Sequence, residues 1–285
     1  MASSSPNNIN GVGGVTGFGS GGGGGENHPC ITRFVDRGSL ESHRLYLARR
    51  TVLEMLRDRG YIVPDSEIDR SLSDFRSAFG DNPNLERLRI CASLRSNPSK
   101  KGVYECVGFS YRKDFALFID GKGYNELDSP ILVIFCGTAE IRKAVIIGIL
   151  SQIVNKESLH RVILVLQSKM NFHARKIVDE YSIKVETFQV SYFVLNQTSQ
   201  FQFCYKVTDL LVNFTKHVLE PKHEILTAVE KQKLLKRYNV EDKQIPRMPQ
   251  NDATARYYGL EKGQVVKVTY DGELTGSIVT YRCVM

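Results

Sequence analysis

The sequence predicts a two-part protein: an α/β domain with a mixed sheet covered by helices, then a small α+β domain. Three observations carry this. Short β-rich runs alternate with helical patterns between residues 131 and 190, as they do where helices pack on the faces of a sheet. The last third, 222–285, reads instead as helix, extended connector, short turn and two strands. A length of 285 residues fits roughly two domains, and 42% hydrophobic residues supplies enough apolar surface for two cores. The boundaries drawn from these patterns are a tail over 1–29, an α/β domain over 30–215 and an α+β domain over 216–285.

The tail is Gly, Ser and Asn, with Gly21 to Gly25 unbroken; it lacks the apolar surface that would offset the entropy of ordering. Gly17, Gly19 and Gly22 fit a GxGxxG spacing, but no strand precedes them and no helix follows, so a phosphate-cradling turn has no scaffold. Ser39 opens a long helix in which Leu45, Ala48, Val52 and Leu56 recur at helical spacing and Gly60 is the stop. Most of its arginines, Arg44, Arg49, Arg50, Arg57 and Arg59, are expected on a solvated surface. After Pro64 a second helix over DSEIDRSLSDFRSAFG aligns Ile68, Leu72, Phe75 and Phe79, and Gly80 ends it. Strands follow at Leu88–Leu94, Ile131–Phe135, Arg161–Gln167 and Ile183–Phe188. Between the later strands lie helices over Thr138–Gln152, with Ile141, Val145 and Ile149 inward, and over Asn171–Tyr181, with Ala174, Ile177 and Val178 inward.

In the last third, Thr227 and Glu230 form a capping box ahead of Leu234 and Leu235. Ile245-Pro246-Arg247 stops the helical pattern, because the proline ring removes a donor and keeps its predecessor extended. Asp252 caps one short turn that Gly259 closes. Val265, Val266 and Val268, then Ile278, Val279, Tyr281 and Val284, suit a pleated surface, and Asp271-Gly272 is the turn signal between them.

The charge balance, 38 Lys and Arg against 31 Asp and Glu, leaves a net +7 spread along the chain. A spread excess is compatible with nearby nucleic acid but does not define a binding site. Cys30, Cys91, Cys106, Cys136, Cys204 and Cys283 show neither CxxC spacing nor a histidine at ligand spacing, so neither a zinc site nor a disulfide scaffold is expected. The chain shows no secretory signal and no apolar run long enough for a bilayer. A soluble protein of a reducing compartment, cytosol or nucleus, is therefore expected, with no membrane partner.

Four ordered motifs near the carboxyl terminus, QIPRM, ARYYGL, KGQVVKV and VTYRCV, resemble subunit 5 of eukaryotic DNA-dependent RNA polymerases and its shorter archaeal counterpart. SHRLYLARRTVLEMLRDRGY and SLSDFRSAFG resemble the opening of the same family. The resemblance covers about 34–101, 131–190 and 207–285. It implies a non-catalytic subunit of a nuclear polymerase with no cofactor or metal. The α/β part would be a jaw domain near downstream duplex DNA, and the last part an assembly domain docked on the largest subunit, in contact with other subunits. Expected partner-binding residues are Pro246, Arg247, Arg256, Tyr257, Tyr258, Gly259, Gly263, Tyr281 and Arg282; the arginines can fork onto carboxylates or carbonyls, and the tyrosines offer area with a polar tip. The strand-to-helix turn with Lys169, Asn171, His173, Arg175 and Lys176 is the expected DNA-proximal site, where helix amides and cationic side chains can meet phosphate together. The family often has Thr-Pro-Ser-Ala at this turn, where this chain has Asn171-Phe172-His173-Ala174; an ordinary capped helix with a solvated basic start is the alternative. Ala253 in place of proline and the loop TYDGELTGSIV resemble the plant variant in RNA polymerase V, which acts in RNA-directed DNA methylation. A shared subunit of polymerases I, II and III, or a free basic DNA-binding module, are the alternatives.

Two stretches, 102–130 and 190–206, interrupt the resemblance and are expected to be loops, since a strand or helix broken there would lose its pairing. Val190-Ser191 can be encoded by a splice-donor-like GTAAGT, and Lys206 by AAG, so the second stretch reads as a retained intron or gene-model error. A nuclease would need a carboxylate pair and a lysine around a divalent ion. Asp65 with Asp120-Gly121-Lys122 mimics that spacing, but Asp65 is better used opening a helix, and Asp120 and Lys122 fall inside an interruption. His43, His160, His173, His217 and His223 are scattered and form no acid–base arrangement.

Overall fold

The computed structural model describes residues 38–94, 130–153, 159–190, 209–272 and 276–285. The tail and most of the two interruptions lie outside the described residues, as do Asp120 and Lys122.

Helix α1 (Leu40–Asp58) starts where Ser39 accepts from Ser42 N at 3.0 Å, and Gly60 (φ 90°) turns the chain away. The second predicted helix is two: α2 (Asp65–Ile68) and α3 (Leu72–Phe79). Ser71 accepts from Asp74 N at 3.1 Å, so a fresh cap breaks the run that apolar spacing alone made continuous. Strands β1 (Ile90–Ala92), β2 (Ile131–Phe135), β3 (Arg161–Leu166) and β4 (Lys184–Gln189) form one sheet in that order. β1 runs antiparallel to β2, and the others are parallel. Helices α4 (Lys143–Ser151) and α5 (Phe172–Asp179) are the crossovers.

Strand alternation sorts the side chains to two faces. Val133, Ile163, Val165 and Phe188 meet Leu45, Val52, Leu56 and Phe75 from α1 and α3. Leu132, Ile134, Val162 and Leu164 meet Ile146, Leu150, Ala174 and Val178 from α4 and α5. The inward stripe of α4 differs from the expected one: Ile146 and Leu150 are buried, whereas Val145 is 46% exposed. Ile141 is held in an isolated bridge to Met170 before the helix begins, which shifts the helical phase. The arginines of α1 also divide. Arg49 is buried against Glu67 at 3.3 Å, and Arg59 is taken up below.

The second sheet has the order β5–β7–β8–β6, from β5 (Lys222–Ile225), β6 (Arg247–Met248), β7 (Val265–Gly272) and β8 (Gly276–Val284). β6 is parallel to β8, and the other pairs are antiparallel. Helix α6 (Ala228–Tyr238) carries the capping box, with Thr227 accepting from Glu230 N and Glu230 from Thr227 N. Its Leu234 and Leu235 cover Val265 and Cys283. Helix α7 (Ala253–Tyr257), capped by Asp252, covers Val266, Val268 and Val284 on the opposite face. Strand β5 escapes the pattern reading, because two of its four residues are charged. Asp271 and Gly272, expected as the turn, are still paired, to Ser277 and Gly276; residues 273–275 lie outside the described residues.

Candidate partner and nucleic-acid interfaces

Three of the expected partner-binding residues belong to a junction between the two sheets. Helix α7 and its closing turn present backbone carbonyls to two arginines of the first sheet's domain. Arg59, the C-cap of α1, donates to the carbonyls of Tyr257 and Arg256, both at 2.7 Å, and to Glu186 Oε2 at 2.7 Å. Arg161, which opens β3, donates to the Gly259 carbonyl at 2.6 Å, to Glu186 Oε1 at 2.9 Å and to Glu261 at 2.8 Å. Glu186 on β4 is thus shared by two guanidiniums, a charge-assisted arrangement stronger than neutral hydrogen bonds. Burial alone would raise its carboxyl pKa; attraction and hydrogen bonds, first from Arg59 and then from Arg161, override it and hold the group below its ordinary 4.5. The carbonyls at the end of a helix carry partial negative charge, so guanidiniums are suited to that position.

Arg256 and Tyr257, expected to bind a partner, also have partners within the chain. Arg256 does fork, but onto Asp209 at 2.9 and 3.3 Å and the Thr187 carbonyl at 2.8 Å, with its guanidinium over Phe188. Tyr257 is 4% exposed. Its hydroxyl donates to Asp58 at 2.7 Å and accepts from Asn213 at 3.2 Å, and burial, reinforced by Asp58, pushes its pKa up. Tyr257 is thus enclosed by the chain itself, whereas the Arg256 side chain stays 34% exposed. Gly259 is buried at φ 63°, and a Cβ there would lie 2.6 Å from Arg161 Nη1 and 3.0 Å from Arg59 Cζ. Its glycine is thus required by both turn and neighbours. Sequence patterning missed Arg59, Arg161 and Glu186, because Glu186 lies 127 residues from Arg59 and 25 from Arg161 and each reads locally as a surface charge.

The remaining partner-binding candidates lie at separate places on the second sheet. Pro246 and Arg247 are exposed along β6, and the Pro246 carbonyl accepts from Cys283 N at 2.8 Å. Gly263 (φ 83°) turns the chain into β7, its N–H bonded to Val284 at 2.8 Å. Tyr281 is half-buried beneath α6. Tyr258 is half-buried against His223 on the α7 side, where Arg282 pairs in register with Val266. Tyr270 and Ile278, opposite each other in register, are exposed on one face of β7 and β8, and Val279 is exposed on the other; the sequence did not single these out as a partner surface.

The DNA-proximal candidates gather at the carboxyl ends of β2 and β3. Asn171 caps α5, accepting from His173 N at 3.3 Å. The bridge between Ile141 and Met170 sets the start of α4 beside that of α5, adding exposed Arg142 and Lys143. Lys169, His173, Arg175 and Lys176 are exposed, and Lys176 meets Glu180 at 3.7 Å. Phe172 is 75% exposed at the rim. Arg175 differs in direction, facing a cleft towards α7 rather than the helix starts.

Burial pushes the Cys91 thiol up to about 12 and that of Cys136 to about 11, so neither is a ready nucleophile. Among the described residues no three His, Cys, Asp or Glu side chains group as metal ligands, and no helix is long and apolar enough to cross a membrane.

Comparison with known proteins bears on the whole chain. The family model described as RNA polymerase Rpb5, N-terminal domain, matches residues 39–153, and that described as RNA polymerase Rpb5, C-terminal domain, matches 212–284. DNA-directed RNA polymerase V subunit 5C of Arabidopsis thaliana is 44% identical over 256 residues, 90% of each chain. Subunit 5A of polymerase V from the same plant is 42% identical over 90% of this chain and 94% of its own. The RPABC1 subunit of polymerases I, II and III from Caenorhabditis elegans is 32% identical over 86% of this chain and 98% of its own. With both domain models matched and 44% identity to one relative over 90% of both chains, the chain belongs to the RNA polymerase subunit 5 (Rpb5) family.

Proposed function

We propose that the chain is a non-catalytic subunit of a nuclear DNA-directed RNA polymerase of the plant polymerase V kind, acting in RNA-directed DNA methylation. The observation that carries this is the 44% identity, over 90% of both chains, to a polymerase V subunit 5. The second sheet is the assembly surface, docked on the largest subunit. Its exposed Tyr270 and Ile278, paired across two strands, with Pro246 and Arg247 at the edge strand, supply apolar area and polar groups of the kind protein interfaces use. The first sheet is the jaw near downstream DNA. Its basic helix starts, with Arg142, Lys143, Lys169 and Lys176, offer amides and cations to phosphate without reading bases. The junction through Glu186 ties the two roles into one body.

A shared subunit of polymerases I, II and III is the second reading, favoured by the similarity to RPABC1. Affinity purification of the tagged chain from plant nuclei separates the two. Recovery of the polymerase V largest subunit is the expected result. Recovery of the largest subunits of polymerases I, II and III selects the shared role, and recovery of none overturns the assembly reading.

A further inference from the structure

Strand β4 is an edge of the first sheet, paired to β3 on one side only. Val190 N donates back to Leu166 at 2.7 Å, so even-numbered residues aim their backbone groups at β3 and odd-numbered ones aim outwards. The chain itself answers part of that outer row. Gln189 exchanges two hydrogen bonds with Asp209, both 3.0 Å, and the Thr187 carbonyl accepts from Arg256 at 2.8 Å. The Thr187 N–H and both backbone groups of Val185 have no partner among the described residues. They face a cleft of about 600 Å³ between α5 and α7. Its α5 wall carries Arg175 and Asp179, both exposed.

We propose that an extended segment of another polymerase subunit adds to β4 in this cleft as a fifth strand, carrying two opposite charges two residues apart. A donor, acceptor and donor at strand spacing are answered in full only by another strand, the chemistry of β-augmentation. Arg175 and Asp179 are one helical turn apart, about 6 Å along the axis. Residues i and i+2 of a strand are separated by about 6.6 Å, so the segment sets an acidic residue against Arg175 and a basic one against Asp179. Val178 and Ala255, buried between the charged rims, supply apolar contact on either side. The inference rests on the assembly reading only in naming the segment's source.

Amide hydrogen exchange, resolved to single residues, tests it on the full chain alone and on purified polymerase containing the chain. Val185 and Thr187 are expected to exchange at least a hundredfold more slowly in the polymerase, with Glu186 and Phe188 slow in both. Protection already present in the isolated chain means that the chain's own polypeptide covers the edge, and overturns the proposal. A chain that assembles with both amides still exchanging freely overturns the proposal and leaves the assembly reading standing; a chain that joins no polymerase overturns both. Thr187→Pro removes an N–H aimed away from β3, a substitution an edge strand accepts. It is expected to weaken assembly at least tenfold. The exposed pair Arg175→Glu with Asp179→Lys is expected to do the same without touching the backbone, and assembly of both variants at wild-type affinity refutes the fifth strand.

Discussion

Replacing Glu186 by alanine tests whether the two sheets are joined by a buried ion triad. The carboxylate is 13% exposed and holds Arg59, whose side chain is 3% exposed, at 2.7 Å, and Arg161 at 2.9 Å. Removing one partner of a buried ion pair leaves an uncompensated charge and costs about 3–5 kcal/mol. Here the guanidiniums keep the carbonyls of Arg256, Tyr257 and Gly259, and Arg161 keeps Glu261, so the lower end, about 3 kcal/mol, is expected. With a urea dependence of about 2–3 kcal/mol per molar, the unfolding midpoint should fall by about 1–1.5 M. Far-UV circular dichroism is the assay, since the chain has no tryptophan. Glu180→Ala is the control. Its pair with Lys176 is 65% exposed on both sides, and such pairs add little, so its midpoint should not move. A Glu186→Ala midpoint within about 0.2 M of wild type would refute the argument, for a charge that buried cannot lose its counterion at no cost.

Two further outcomes follow from the same junction. Because Glu186 is held below its ordinary pKa of 4.5 in the folded chain, its contribution is fully present above that value and is lost as pH falls through the depressed folded pKa. Glu186→Gln should therefore flatten the stability profile below about pH 4.5 relative to wild type, measured by urea unfolding across that range; parallel profiles would show that the carboxylate is not specially held. Gly259→Ala and Gly263→Ala both force an L side chain to positive φ, at about 1–2 kcal/mol. Only at Gly259 would the new Cβ also displace two guanidiniums, whereas nothing lies within 4 Å at Gly263, so thermal melts should rank Gly259→Ala below Gly263→Ala, and equal melting temperatures would contradict the close approach.

What the sequence by itself determined is most of what is written over short range, with the Ser71 cap an exception. Ser39, Asn171, Thr227 and Asp252 each cap the helix they precede, since a cap and the amide it satisfies are two or three residues apart. The β-branched runs at Ile131 and Val265 are strands because both their neighbours and their composition favour a pleated, buried surface. The family was legible for a related reason: its motifs are contiguous. The tertiary structure alone decided which charges are structural. Arg59, Arg161 and Glu186 look like surface residues in their own segments, and Arg256 and Tyr257 look like a docking surface in theirs. Folding sets them within 2.7–2.9 Å contacts across two domains, and no local pattern encodes a pairing made over so many intervening residues. The same holds for β4, whose sequence states that it is a strand, while only the sheet order shows that one of its edges is open.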